Sequence, residues 1–468
     1  MAASLLLAFS ACGSSAMAHL QVSEETPAPT PSPTPPLPGK MKPDDSGQTL
    51  ELSDIHGLQD LELLEEFFPR LPDVEKIIFT SSEPGIKGLE YIHQRYPEAE
   101  IDCQFILSGR KIDLASESVA AGGLSHEAAA ALAKLLPCMV NLRSVDLGDD
   151  SHPFSWEDIA MLEKAAPDAG FEYAFSLYGR DFQLSDKKMS LHHIHITDEG
   201  ELVRKVISCM PELEYLDMDS TKISDESMAK IRDDFPDIDV VWRVWFGDNY
   251  SVRTDVEKIL ASNPGNGGNL TVSNTKALQY CTKVKYLDVG HNEILHDISF
   301  IKYMPDLEVA ILAMAYFSDT TPIASCPNLE FLEIQTNEIT DLTPLAGLKK
   351  LKHLNIAHNY DLCDITPLYG LTQLERLWIG SIDPVPKEQV EEMQKRAPSC
   401  VINTEVWDPH AGNWRYDADR ESGFSERYEL LVKQFGYDSL EYSFYWLDPY
   451  YYEDGRIPWR IMDSVYDD

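Results

Sequence analysis

The chain has 468 residues, with 39 Lys and Arg against 78 Asp and Glu, a formal net charge of −39. That balance argues against nucleic acid as the main partner, because phosphates are held by clustered basic side chains. It also argues against docking of the bare protein surface on anionic lipid, and leaves solubility in an exposed setting as the expectation.

The first 18 residues read as an export segment. Residues 2–11 (AASLLLAFSA) are small and apolar and run into Cys12. Phe9-Ser10-Ala11-Cys12 resembles the lipobox of a bacterial lipoprotein signal, which implies that Cys12 becomes the lipidated first residue and the only membrane attachment. The match departs from the family pattern in that Phe9 stands where Leu is usual and no Lys or Arg precedes the apolar run. Plain secretion after Ala16-Met17-Ala18 is the alternative. The apolar run is too short to span a bilayer. Residues 19–46 follow, centred on TPAPTPSPTPPLP. A segment of that composition cannot bury a core, and reads as an extended linker that holds the folded part off the surface.

From 47 to 283 the chain is built of long units. The pattern apolar-x-x-apolar-x-apolar begins at Val74 (VEKIIF), Leu142 (LRSVDL), Leu213 (LEYLDM) and then Val284 (VKYLDV). In each long unit a helix follows, as in Ser224-Asp225-Glu226-Ser227 capping MAKIRDDF. A Pro and an alternating strand come next, starting at Pro97, Pro167 and Pro236. Residues such as Leu50, Leu52, Met189 and Leu191 supply a further strand before the next unit. Between 284 and 405 the same pattern recurs at Val284, Leu307, Leu329, Leu351 and Leu374, spaced by 23, 22, 22 and 23 residues (307 − 284, 329 − 307, 351 − 329, 374 − 351). Asn292, Asn337 and Asn359 each fall eight places after the start of their copy. Two copies continue as Asp341-Leu342-Thr343-Pro344-Leu345 and Asp364-Ile365-Thr366-Pro367-Leu368. A short alternating strand, an Asn and an apolar return make one turn of a leucine-rich repeat. A lone turn cannot bury its apolar side, so neighbours stack. The Asn amide joins backbone groups of adjacent turns that a closed bend leaves unpaired. Ser82, Asp150 and Thr221 hold the corresponding place in the long units.

The expected fold is α/β: a leucine-rich repeat solenoid with a parallel sheet on the concave face and helices on the convex face of the N-terminal half. The alternation of long helical units with short Asp-x-x-Pro-Leu units resembles leucine-rich repeat surface lipoproteins of Gram-positive anaerobes, and the short units resemble those of internalins. The resemblance covers about residues 47–405 and implies a fold, while the fold itself hosts many binding roles. Residues 406–468, with Trp407, Trp414, Trp446, Trp459 and Tyr450-Tyr451-Tyr452, read as an aromatic cap over the exposed end of the last turn, with a glycan- or peptide-binding patch as the alternative.

The residues between the apolar ones are expected to face outward from the concave sheet as a strip of Lys76, Ser144, Asp146, Tyr215, Asp217, Tyr286, Asp288, Phe331, Glu333, His353, Asn355, Arg376 and Trp378. Carboxylates beside rigid aromatics suit a protein or glycan ligand. The reading is therefore a non-catalytic cell-surface binding protein, including adhesion, with an envelope scaffold as alternative and a hydrolase without a recognisable motif as the remote one. GxSxG, phosphate-loop, dinucleotide and HExxH signatures are absent from the sequence, and no cofactor or metal is expected. His192, His193 and His195 are expected to point outward around a bend rather than hold a metal. Asp217-x-Asp219-x-Thr221 lacks the Gly that a calcium loop needs at its sixth place, where Lys222 stands. Ser125 reads as a helix cap. Cys138, Cys209, Cys281 and Cys326 lie three or four residues before a repeat start and read as buried thiols. Ligand identity and oligomeric state are not legible.

Overall fold

The computed structural model describes residues 38–435, apart from 249, 263–268, 381–383, 406–413, 416 and 418. The leader, Cys12, most of the 19–46 linker, Trp407 and everything after 435 therefore lie outside the described residues. The chain divides into two compact units, one up to Phe105 and one from Ile106 onward. The change in repeat length at 283/284 falls inside the second.

In the first unit the strand Thr49–Ser53 pairs in parallel with Lys76–Thr80, and that strand pairs with Glu100–Asp102. Leu50, Leu52, Ile77 and Ile101 turn the same way and are fully buried. The helix Gly85–Arg95 lies between the second and third of these strands in the chain. Ser82 does what an Asn would do here. Its hydroxyl donates to the Leu52 carbonyl (3.3 Å) and accepts from the Ile55 amide (3.0 Å).

The second unit starts with the same grammar. Ser144–Asp149, helix Trp156–Ala165 and Gly170–Leu177 follow one another, as do Tyr215–Asp217, helix Asp225–Asp234 and Asp239–Val241. Ser125, Ser155 and Ser224 each accept a backbone N–H and cap the helix behind them, which satisfies one of the free donors at a helix start. One feature departs from a purely parallel coil. Gly170–Leu177 also pairs antiparallel with Arg180–Gln183, and Arg243–Phe246 pairs antiparallel with Tyr250–Arg253. The first of these hairpins turns at Tyr178 (φ 51°) and Gly179 (φ 81°), the two left-handed residues that suit a tight connection between twisted strands.

Beyond Lys258 the architecture becomes regular. Seven strands, Lys258–Leu260, Tyr286–Asp288, Val309–Ile311, Phe331–Glu333, His353–Asn355, Arg376–Trp378 and Val401–Asn403, pair in chain order as one sheet. All six pairings are parallel. Between them the chain returns through short 3-10 turns such as Thr343–Gly347 and Thr366–Gly370. Four of these turns are opened by an Asp two residues earlier: Asp297, Asp319, Asp341 and Asp364 accept from the amides of Ser299, Thr321, Thr343 and Thr366 at 2.7–2.9 Å, the local Asx bond that favours a turn over a strand. The last return runs through the helix Lys387–Arg396 instead.

The Asn ladder is as the spacing requires. Asn337 donates to the carbonyls of Leu312 (3.1 Å) and Ile334 (3.0 Å) and accepts from the Ala315 amide (3.1 Å). Asn292 bridges Ala261, Val289 and Leu270, and Asn359 bridges Ile334, Ile356 and Ile339. All three are buried. The residue before each (His291, Thr336, His358) is left-handed, with φ between 57° and 60°, a conformation that costs an L-residue roughly 1 kcal/mol and that aims the amide inward. Asp150 is the exception among the ladder positions. It is exposed and instead accepts from the Ser176 amide at 3.1 Å.

Candidate functional site

The strip divides into an open part and a covered part. Asp146 is exposed and Ser144 half-buried; Lys76, in the first unit, pairs with Glu100 at 2.7 Å. Tyr215 and Asp217 are held by Arg253, which donates to the Tyr215 hydroxyl at 2.6 Å and lies 3.4 Å from the Asp217 carboxylate. From Asp288 onward the expectation of a solvent-facing strip is overturned. Asp288, Phe331, Glu333, His353, Asn355 and Trp378 are buried, and Glu333 is 0% exposed. Only Tyr286 and Arg376 keep partial exposure.

The cover is the chain's own C-terminal segment. Trp414 and the helix Glu426–Phe435 pack through Tyr428, Leu431, Val432 and Phe435 against Leu260, Val309, Ile311, Phe331 and Trp378. The segment expected to close the end of the last turn therefore lies across the strand face instead, in its described part. The reason is in the second copy of the short repeat. At the strip positions of LEVAIL stand Val309 and Ile311, which with Phe331 and Trp378 make a face too apolar to leave in water. Those two residues were the signal that the strip is covered. Their omission from the polar-and-aromatic strip hid it.

Polar groups under the cover fall into two classes. Glu333 is fully matched: Trp414 Nε1 donates to it at 2.6 Å, Gln335 Nε2 at 3.3 Å, and Arg415 forms a two-pronged ion pair through Nε and Nη2. Burial raises the Glu333 carboxyl, but the Arg415 charge and these bonds outweigh it and hold the group below its usual range. His353 Nδ1, Asn355 Nδ2 and Trp378 Nε1, by contrast, are buried with no hydrogen-bond partner. Burial first, then the neighbouring Arg376, Arg427 and Lys352, drives His353 down to about 3, so its imidazole is neutral.

Beside these groups, between the last strands and the helix, opens a cleft of about 600 Å³. His353, Arg376 and Trp378 line its sheet side, and Ser425, Arg427 and Leu430 its helix side. Arg376 donates to the Trp414 carbonyl at 3.2 Å and lies over the rings of Trp378 and Trp414, 4.8 and 5.2 Å from their centres. Desolvation lowers its guanidinium to about 10, offset in part by Asp417. Val401 and Leu430 stand at the rim with more than half their surface in solvent. Arg427 is the residue that the sequence reading missed; no repeat period reaches the C-terminal helix, so nothing local marks it.

The remaining candidates resolve as structural. His192, His193 and His195 are exposed while Leu191 and Ile196 are buried, as the periodicity requires. Asp219, a member of the calcium-like string, is bound by Arg243 at 2.9 Å, and Thr221 donates to the Met218 carbonyl at 3.0 Å. Among the described residues, no group of three or more His, Cys, Asp or Glu is placed to hold a metal. Cys138, Cys209, Cys281 and Cys326 are buried, as are Cys103 and Cys400, whereas Cys363 is exposed. Burial pushes Cys326 up to about 12. Among the described residues, no helix is long and apolar enough to cross a membrane.

Comparison with known proteins agrees on the repeats. A pattern described as "Leucine Rich repeats (2 copies)" matches residues 327–370, and one described as "Leucine Rich repeat" matches 280–297. No curated protein matches the chain. Similar solved structures include an internalin (inlF) from Listeria monocytogenes, at 16% identity and TM-score 0.29, covering 77% of this chain and 82% of that one. A leucine-rich repeat protein from Leptospira interrogans is similar at 16% identity and TM-score 0.26, over 78% of this chain and 93% of that one. The functional domain of InlJ from Listeria monocytogenes is similar at 15% identity and TM-score 0.25, over 61% of this chain and 58% of that one. The chain thus contains leucine-rich repeats, at 280–297 and 327–370, within parallel strand pairings that run in chain order.

Proposed function

We propose that this chain is a non-catalytic binding protein of the cell surface, a leucine-rich repeat solenoid that takes a protein partner in the cleft between its last strands and its C-terminal helix. The observation that carries the reading is that cleft. It joins exposed apolar side chains (Val401, Leu430) to residues carrying a buried, unpartnered nitrogen (His353 Nδ1, Trp378 Nε1), while His353 Nε2 lies 3.6 Å from Glu375. Apolar side chains beside a few fixed polar groups are the usual content of a recognition site. Export rests on the leader at residues 1–18, with lipid attachment at Cys12 or plain secretion as its two forms. The linker at 19–46 supports a tethered arrangement, and helices on the convex face of the long units complete the proposed coil. The reading narrows the binding surface from the whole strip to its uncovered end.

The test uses the full chain with a photoreactive residue at position 430, and a control at the exposed Val140. A defined crosslink to a surface or secreted protein from 430 and not from 140, lost on Val401→Asp, supports the cleft. Equal labelling from both positions overturns it. Substituting Phe331 or Trp378 is unsuitable, since both are core residues here.

One observation favours a second reading. With most of the strip covered by the chain itself, an envelope scaffold that spaces its neighbours needs no open face. Deletion of residues 19–46 then disturbs function while Val401→Asp does not.

A further inference from the structure

We infer that the cleft binds an anion, specifically a carboxylate presented by its partner, with Arg376 and Arg427 as the anchoring residues. The inference rests on the cleft being the ligand site proposed above and adds the chemistry of what enters it. Arg376 and Arg427 are both half-buried, and among the described residues Arg376 is compensated by the Trp414 carbonyl, two ring faces and the field of Asp417. Among the described ion pairs neither arginine has a carboxylate within 4.0 Å, although the chain carries twice as many acidic as basic residues. A guanidinium withdrawn from water without a counter-charge is costly, and its planar fork suits a carboxylate in two-pronged contact.

Two further observations point the same way. The buried side chain of Trp378 lines the cleft, and its indole N–H, which has no partner, can only donate. The ten-residue helix Glu426–Phe435 starts at the cleft, with Ser425, Glu426 and Arg427 in its lining, so its free amides add positive potential there. Four acidic residues line the cleft as well: Glu375 and Glu426 are exposed, and Asp417 is half-buried and offsets only part of the Arg376 desolvation. Glu330 is occupied by Lys352 at 2.9 Å. The buried surface offers donors; the rim offers acids that would reject a ligand whose negative charge is not placed at the arginines.

The experiment compares two isosteric probes, N-acetyl-glutamate α-amide and N-acetyl-glutamine α-amide, titrated into the full chain at low salt. The Trp378 indole N–H resonance, assigned in the unsubstituted chain by selective isotope labelling of tryptophan and through-space contacts, is the readout. The glutamate probe should shift it saturably, at least about tenfold more tightly than the glutamine probe. Arg427→Gln, on a partly exposed helix position, should abolish that preference with an unchanged melting curve, and Arg376→Lys should weaken it. Glu426→Gln should tighten binding. Equal responses to both probes, or none to glutamate, overturn the anion assignment. If the crosslink from position 430 persists in that case, the cleft stands as a partner site and only its ligand chemistry falls. If the crosslink fails while glutamate binds, the partner reading falls and the anion site stands.

Discussion

The strip along the strands behaves oppositely in two regions of the second unit. In Ser144–Asp149 and Tyr215–Asp217 the positions between the inward apolar residues hold Ser144, Asp146, Tyr215 and Asp217, and they meet water or an arginine from a neighbouring hairpin. From Val309–Ile311 to Arg376–Trp378 the same positions hold Val309, Ile311, Phe331 and Trp378, and the C-terminal segment covers them. The backbone pattern is alike in both. What differs is side-chain polarity at two places per turn, and that decides whether the outward face stays wet. A repeat pattern tells which residues look outward; it does not tell what they look at.

Four measurements would break or sharpen that contrast. The largest effect is expected at the buried ion pair. Arg415→Ala leaves Glu333 charged and dry, and should cost about 3–5 kcal/mol in urea unfolding, whereas the joint change Glu333→Leu with Arg415→Met should recover most of it. A small effect of Arg415→Ala would mean the segment does not cover the strip. Next, Phe435→Ala removes a helix anchor from the covered face. A loss of about 3 kcal/mol is expected, with faster proteolysis near residue 420 and no change in amide exchange at Ser144–Asp149.

The third concerns pH. His353 in the folded chain titrates at about 3, below its ordinary 6.5, so the unfolded chain binds a proton that the folded one refuses. Stability is complete above the unfolded value and is lost as pH falls toward the folded one. Between pH 6.5 and about 4.5 the loss should approach roughly 2 kcal/mol, and His353→Gln should flatten that limb. Glu333, held below its usual 4.5, adds its own loss only at lower pH. A midpoint that is constant across this range for the parent chain would contradict the burial of His353. The smallest effect is expected in the open region: Asp146→Asn should change stability by no more than about 0.5 kcal/mol, and a larger change would show that this part of the strip is covered too.

Much of this was legible in advance. The periodic starts place every strand from Tyr286–Asp288 to Arg376–Trp378, and the Asn ladder follows from an eight-place offset, because one strand, one bend and one return must fit each turn. The caps at Ser125 and Ser224 followed from local chemistry, and Ser155 caps its helix in the same way. The hairpins at 170–183 and 243–253 did not, since Tyr178 does not advertise a left-handed bend. Burial of Glu333 and His353 did not either, because their polarity argued for water. The clue lay in Val309 and Ile311, whose meaning depends on a helix more than a hundred residues away.

The sequence by itself determined the repeats, their spacing, the ladder and the inward-facing core, since each is enforced within one turn or between adjacent turns. Only the tertiary structure decided that the strip is mostly covered, that Arg415 neutralises Glu333, and that Arg376 and Arg427 share a cleft. The physical reason is range. Backbone satisfaction and alternation act over a few residues, while desolvation of an apolar face is met by whatever segment can reach it.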